Sequence, residues 1–153
     1  MGKTYGIFTK PIHVEKIVNY LNLVHPKLNY IISTDKQEVD MWAFEIGVSY
    51  CFPYKIDMAK QTWQSYRVWY NYHPGPLPEY PGLTNYSMPI RDGVTRFGVT
   101  LHKMTDEIDK GPIIKRIDFD LASPPTSTNE LGNIAHYYLF QLFKETIWGL
   151  GDV

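Results

Sequence analysis

A strand that runs into proline has to stop. Val68-Trp69-Tyr70 is a short apolar run with Asn71-Tyr72-His73 on its polar end, and Pro74-Gly75-Pro76-Leu77-Pro78-Glu79-Tyr80-Pro81-Gly82 follows at once. Proline has no N–H to give to a sheet ladder and fixes its own φ, so this loop closes the strand and stiffens what comes after it. Asn71 and His73 are two residues apart and therefore point to the same side of the strand end. An amide and an imidazole are thus presented at the C-terminal edge of a sheet, which is where open α/β folds bind ligands.

The rest of the chain alternates strands with helices. Tyr5-Gly6-Ile7-Phe8 reads as a first strand. Pro11 suits the first turn of a helix, and Val14, Ile17, Val18 and Leu21 carry its apolar spacing until His25-Pro26 ends it. Tyr30-Ile31-Ile32 is a second strand, closed by Ser33-Thr34-Asp35. Trp42 to Gly47 fits no single element, whereas Val48 to Phe52 reads as a buried strand ending at Pro53. A weak helical pattern lies between Asp57 and Gln64. Val68 to Tyr70, Phe97 to Leu101 and Ile113 to Ile117 supply three more strands. Ser127 and Glu130 form a capping box for a last helix. Leu131, Ile134, Tyr138, Leu139, Leu142, Phe143 and Ile147 give that helix a broad apolar face, and Gly149 is expected to stop it. This order predicts an α/β fold with a largely parallel sheet and helices on both faces.

Length and charge narrow the function. The 153 residues suit one domain, residues 1–153, with a full core. A net charge of -1 without a basic run argues against gripping nucleic acid through its phosphates. No apolar stretch approaches the ~18 residues of a membrane span, and Met1-Gly2-Lys3-Thr4 has no signal-peptide pattern, so a cytoplasmic protein is expected. Cys51 is the single cysteine, which rules out an internal disulfide. The twelve tyrosines suit core, a ligand cleft or a homodimer interface.

Two segments carry chemistry. Asn71 offers a donor for a developing oxyanion and His73 a group that titrates near neutrality. The same pair would equally serve to satisfy loop backbone groups at a strand end. Gly98-Val99-Thr100-Leu101-His102 leads into Asp106-Glu107-Ile108-Asp109-Lys110-Gly111-Pro112, which adds a second imidazole and carboxylates. The acidic residues read either as a solvated turn or as a carboxylate, Asp109, set at a strand mouth by Gly111, whose freedom of backbone angle would turn the chain. His102 either fixes the loop or takes part directly. Taken together these groups make acyl transfer the leading chemistry. No metal site is expected, since the five histidines include no i, i+4 pair and no cysteine companions. The turn after the first strand, Phe8-Thr9-Lys10-Pro11, has no Gly-rich phosphate cradle. Cys51 sits in an apolar run without an activating base and is not expected to act as a nucleophile.

Asn71-Tyr72-His73-Pro74, Leu77-Pro78-x-Tyr80-x-Gly82, Gly98-Val99-Thr100-Leu101-His102 and Asp109-Lys110-Gly111-Pro112-Ile113-Ile114, in this order, resemble the formyltransferase family that uses 10-formyltetrahydrofolate. The likeness runs from about Val48 to Ile117 and implies the family's Rossmann-like formyltransferase fold. It implies Asn71, His73 and Asp109 as catalytic residues and His102 as their support. It implies folate contacts from Tyr50, Cys51, Phe52, Pro53, Tyr54 and Ile56, and from Lys103, Met104, Thr105 and Asp106. Pro74, Gly75, Pro76, Leu77 and Tyr80 would border the amine. Gly75-Pro76-Leu77-Pro78 departs from the family's usual Ser-Leu-Leu-Pro loop there.

The family includes glycinamide ribonucleotide, methionyl-tRNA and sugar-nucleotide enzymes. The first carry a Gly-rich phosphate turn and the second an extra C-terminal domain, and neither is seen in this sequence. The resemblance is therefore nearest to sugar N-formyltransferases, which act on a nucleotide-linked amino sugar, with a 4-amino-4,6-dideoxy sugar expected. A formyltetrahydrofolate hydrolase, a glycinamide ribonucleotide or methionyl-tRNA type of enzyme, and a folate-binding module without catalysis are the competing readings.

Overall fold

The structure is a computed structural model that describes residues 2–63, 65–82 and 86–152. Six strands form a mostly parallel sheet in the order β2-β1-β3-β4-β5-β6. The strands are β1 (Tyr5–Thr9), β2 (Tyr30–Ser33), β3 (Ile46–Tyr50), β4 (Val68–His73), β5 (Arg96–Lys103) and β6 (Ile113–Asp120). The helices are α1 (Pro11–Val24), α2 (Glu38–Met41), α3 (Met58–Trp63), α4 (Ser87–Arg91) and α5 (Thr128–Thr146), with a 3₁₀ segment over Ile147–Asp152. This is the α/β class expected. No helix among the described residues is long and apolar enough to cross a membrane.

Two compact units divide the chain, one of residues 1–71 with 146–153 and the other of residues 72–145. In the first, β1 pairs in parallel with β2 and with β3. Every residue of β1 and β3 is buried, the pattern of strands covered on both faces. Phe8 sits at the centre of a ring cluster, 5.5 Å from Phe44 and 5.6 Å from both Phe52 and Trp69. Helix α1 buries His13, Ile17 and Leu21, one stripe at helical spacing.

Arg67 ties down the connection around α2. Its guanidinium donates to the carbonyls of Val39 at 2.6 Å and Phe44 at 3.2 Å, and to that of Trp42. It also lies 3.6 Å from the centre of the Phe44 ring.

In the second unit, β5 and β6 are antiparallel. Helix α5 buries Leu131, Ala135, Leu139, Leu142 and Phe143. Tyr138 of that helix stacks on Phe119 at 4.0 Å, and Phe143 lies 5.4 Å from Tyr72. The capping box is half as expected. Ser127 Oγ accepts from the Glu130 N–H at 3.1 Å, but the Glu130 carboxylate reaches back to the Thr126 N–H at 3.0 Å rather than to Ser127.

Several boundaries differ from the sequence reading. β3 covers Ile46–Tyr50 rather than Val48 to Phe52. Cys51 takes a φ of 55°, which ends the strand, and Phe52 is buried from a loop. β4 runs through His73 instead of stopping at Tyr70, because Tyr72 and His73 are themselves buried. Helix α5 ends at Thr146, before Gly149, and tightens into the 3₁₀ segment that keeps Ile147 and Leu150 buried. The weak helix is present as Met58–Trp63, and its expected last residue, Gln64, lies outside the described residues.

Candidate active site

The second unit brings His73, His102 and Asp109 together. His73 is the last residue of β4, His102 lies near the end of β5, and Asp109 lies in the loop before β6. Asp109 Oδ1 is 3.7 Å from His102 Nε2 and 4.0 Å from His73 Nδ1. Its side chain is only 7% exposed, so the carboxylate needs partners to be tolerated there. The Gly82 N–H donates to its other oxygen. Asp109 adopts a φ of 59°, a left-handed conformation that aspartate tolerates better than most residues. The positive φ expected of Gly111 therefore falls on Asp109 instead.

Gly111 is needed for a different reason. A Cβ there would run into the Lys103 carbonyl, and Thr105 Cγ2 lies 3.3 Å from the same point. That carbonyl has a task, since it accepts a hydrogen bond from His102 Nδ1 at 3.1 Å. His73 is held in a matching way, with Nε2 3.0 Å from the Tyr80 carbonyl. A carbonyl only accepts, so Nδ1 of His102 and Nε2 of His73 carry the protons. Each ring therefore turns its other nitrogen toward Asp109. Burial lowers the His102 pKa and outweighs the opposing effects of the Lys103 carbonyl and Asp109.

A β-bulge aims His102. Leu101 pairs with Lys115 but His102 pairs with Ile113, so the register slips by one residue at the histidine. Bulges of this kind redirect a side chain and recur beside active sites.

The proline loop is fastened at several points. Thr100 Oγ1 donates to the Gly75 carbonyl at 2.9 Å and accepts from the Leu77 N–H at 3.0 Å. The Tyr80 N–H reaches the Pro76 carbonyl at 2.9 Å, and the Tyr80 hydroxyl donates to Asp92 at 2.6 Å. That bond and burial push the Tyr80 hydroxyl up to about 12. The Leu77-Pro78 peptide is cis. Gly75 lies against the site, since a Cβ on it would be 3.1 Å from His73 Nε2.

The remaining candidates are distributed as follows. Asn71 precedes His73 by two residues on β4 and is half-buried. Pro74, Gly75, Pro76 and Leu77 are buried, and Tyr80 is half-buried. Tyr50 ends β3 and is buried, Phe52 and Ile56 are buried beyond it, and Pro53 and Tyr54 are exposed. Burial pushes the Cys51 thiol up to about 12, so it is not a thiolate near neutral pH. Lys103, Thr105 and Asp106 are exposed after β5, and Met104 is half-buried. The sequence reading missed Gly82, Tyr80 as a carbonyl acceptor, and the bulge. Each acts through backbone or through register, which residue type does not announce.

A buried carboxylate flanked by two tethered imidazoles at strand ends defines a proton-handling site on an open α/β sheet. The formyl transferase family model matches residues 56–136, more than half of the chain and the segment that holds this site, and the protein belongs to that family. Phosphoribosylglycinamide formyltransferase of Escherichia coli is 35% identical over 77 residues, which cover 50% of this chain and 36% of that protein. The chain thus spans about a third of that relative's length. Among solved structures, an N-formyltransferase from Helicobacter canadensis, in complex with folinic acid and dTDP-3-aminofucose, superposes with a TM-score of 0.76. It is 21% identical, with 99% of this chain and 65% of that chain covered. A formyltransferase from Anoxybacillus kamchatkensis, in complex with UDP-4,6-dideoxy-4-formamido-L-AltNAc and tetrahydrofolate, gives a TM-score of 0.73 at 17% identity, covering 95% of this chain and 75% of that one. At these identities the two structures share this chain's fold.

Proposed function

We propose that residues 1–153 form the catalytic domain of an N-formyltransferase that moves a formyl group from 10-formyltetrahydrofolate to the primary amine of a nucleotide-linked amino sugar. The observation that carries the transfer chemistry is the convergence of His73 and His102 on Asp109 within the family match. In this reading the amine attacks the formyl carbon and an oxyanion develops. Asn71 and the protonated His73 stabilise it. His73 Nε2 is engaged by the Tyr80 carbonyl, so the proton on Nδ1 is the one available to the reacting atoms. A preorganised donor of this kind is worth roughly 10²–10³ in rate.

Attack by the neutral amine leaves its nitrogen positively charged. Asp109 takes a proton from it and delivers one to the folate nitrogen as the oxyanion collapses, the carbonyl re-forms and the bond from the formyl carbon to that nitrogen breaks. The gaps of 3.7 and 4.0 Å to the imidazoles exceed a direct hydrogen bond, which suits transfer through a bridging water. His102, kept neutral by burial, orients the carboxylate without competing for its proton. The formyl group is already activated on the folate, so no metal enters the scheme. Folate contacts are assigned to Tyr50, Cys51, Phe52, Pro53, Tyr54 and Ile56 and to Lys103, Met104, Thr105 and Asp106. The amine side is assigned to Pro74, Gly75, Pro76, Leu77 and Tyr80.

An amino-sugar acceptor is supported by the ligands of the two structural neighbours and by the neutral overall charge. The Escherichia coli relative favours the second reading, in which the acceptor is glycinamide ribonucleotide. The test is a side-by-side assay with 10-formyltetrahydrofolate and nucleotide-linked amino sugars, glycinamide ribonucleotide or initiator methionyl-tRNA, read by the mass gain of a formyl group. Faster formylation of either of the last two overturns the sugar acceptor. Formate release without any formylated amine overturns the transferase.

A further inference from the structure

Arg116 lies on β6, two residues beyond the segment Asp109 to Ile114, and it reaches into the proline loop. Its Nη1 donates to the Leu77 carbonyl at 2.7 Å. Nη1 and Nη2 hold the Glu79 carboxylate in a two-pronged pair at 2.8 and 2.6 Å. Its Nε donates to Asp118 at 2.8 Å, which orients the guanidinium from its own strand. Glu79 holds the Arg116 pKa above the ordinary arginine value, and Arg116 in turn lowers that of Glu79. The residue after Glu79 is Tyr80, whose carbonyl accepts the proton of His73 Nε2. From Arg116 to the imidazole the connection is therefore an ion pair, one peptide and one hydrogen bond.

We infer that the Arg116–Glu79 pair is a positioning device for His73. It holds residues 77–80 so that the Tyr80 carbonyl stays on Nε2, and so decides which ring nitrogen faces Asp109. Without the carbonyl the neutral ring is free to carry its proton on either nitrogen. In the reaction the protonated ring needs Nε2–H held by the Tyr80 carbonyl so that Nδ1–H keeps its direction toward the reacting atoms, and a ring that has lost the carbonyl loses that direction. The bidentate geometry matters because a planar fork fixes Glu79 in direction as well as distance, which a lysine does not do. Gly75 leaves little slack in the arrangement, since a Cβ there would come within 3.1 Å of Nε2 and the ring would have to shift slightly. The catalytic consequence rests on the formyltransferase reading; the effect on the ring does not.

The test uses the purified chain with ¹⁵N-labelled histidine and the variants Arg116→Gln, Arg116→Lys and Glu79→Gln. Arg96→Gln is the control, because Arg96 makes an exposed ion pair with Asp120 at 2.6 Å on the neighbouring strand. In the parent protein the ¹⁵N shifts of neutral His73 are those of a ring protonated on Nε2. Arg116→Gln is expected to move them toward a mixture of tautomers, Glu79→Gln and Arg116→Lys less far, and Arg96→Gln not at all. With the best acceptor, kcat should fall roughly 10–10²-fold in Arg116→Gln while KM for the folate changes little, the pattern of a displaced catalytic group. If Arg116→Gln does not fold, the two milder variants carry the same expectation. Unchanged His73 shifts in every folded variant overturn the proposal. Shifted resonances in a protein whose parent form formylates no acceptor uphold the clamp and overturn the functional reading instead.

Discussion

Each compact unit is fastened by one arginine, and the two are used differently. Arg67, in the unit of residues 1–71 and 146–153, spends its guanidinium on the neutral carbonyls of Val39, Phe44 and Trp42. Arg116, in the unit of residues 72–145, spends most of its own on the carboxylates of Glu79 and Asp118. Burial lowers the Arg67 pKa, whereas Glu79 raises that of Arg116. The first replaces water at partly buried backbone carbonyls and so contributes to stability. The second is a partly solvated ion pair of little worth to stability, which suits a role in placement. The same contrast runs through each unit. The first packs phenylalanine and tryptophan rings around two fully covered strands, while the second brings two buried histidines together with a carboxylate. Stability should dominate the response to mutation at Arg67, and chemistry at the cluster of His73, His102 and Asp109.

The largest effect is expected at the chemistry. Asp109→Asn and His73→Asn should each lower formyl transfer by roughly 10²–10³-fold, with Asn71→Ala at least tenfold down. Circular dichroism and melting temperature should stay near those of the parent for Asn71→Ala. Rates close to the parent's for Asp109→Asn and His73→Asn would dissolve the distinction between a scaffold unit and a reactive one.

The glycines behind the histidines sharpen it. Gly111→Ala places a Cβ into the Lys103 carbonyl, and backbone cannot move aside as a side chain can. A destabilisation of about 1–3 kcal/mol is expected, with activity lost because the same carbonyl orients His102. Gly75→Ala meets the His73 ring at 3.1 Å, a contact that a small rotation relieves, and should cost less stability. Chemical denaturation of the two variants gives the order. The reverse order would mean that the proline loop is more rigid than the turn before β6.

Arg67→Ala tests the other unit. Loss of its bonds to these partly buried carbonyls should destabilise the chain by about 1–2 kcal/mol, seen as a lower denaturation midpoint. The kcat of the protein that remains folded should be unchanged. A fall in kcat without a fall in stability would reverse the roles assigned to the two arginines.

How much of this was legible in the sequence depends on distance along the chain. Asn71 and His73 sit two residues apart, and strand periodicity alone puts them on one face. The alternation of strands and helices was equally plain, because each is a local pattern of apolar residues. The four- and five-residue helices α2 and α4 went unseen, being too short to show a period. β3 was placed two residues late because Phe52 is as apolar as a strand residue, and nothing local announces that Cys51 turns the backbone. Arg116 is 37 residues from Glu79, and Gly82 is 27 from Asp109. Only the folded sheet makes such pairs neighbours. The bulge at His102 is a mismatch between two strands and has no signature in either one.

The smallest effect expected is a pH dependence that traces to His102. Burial lowers the folded pKa of His102 below its ordinary 6.5. The unfolded chain then binds a proton that the folded chain refuses as the pH falls below that value. The stability belonging to the neutral folded ring is fully present above about pH 6.5, and it declines as the pH drops from there through the lower folded value. His102→Gln removes the titrating group, so its melting temperature should fall less between pH 7.5 and pH 5.5 than the parent's, whatever the two values at pH 7.5. Because Lys103 and Asp109 act against burial, the difference should be modest, and replicate melts across the range are needed to resolve it. Parallel curves for the two proteins would mean that the His102 ring takes up its proton in the folded state as readily as in the unfolded one, and the role of a neutral orienter for Asp109 would then pass from His102.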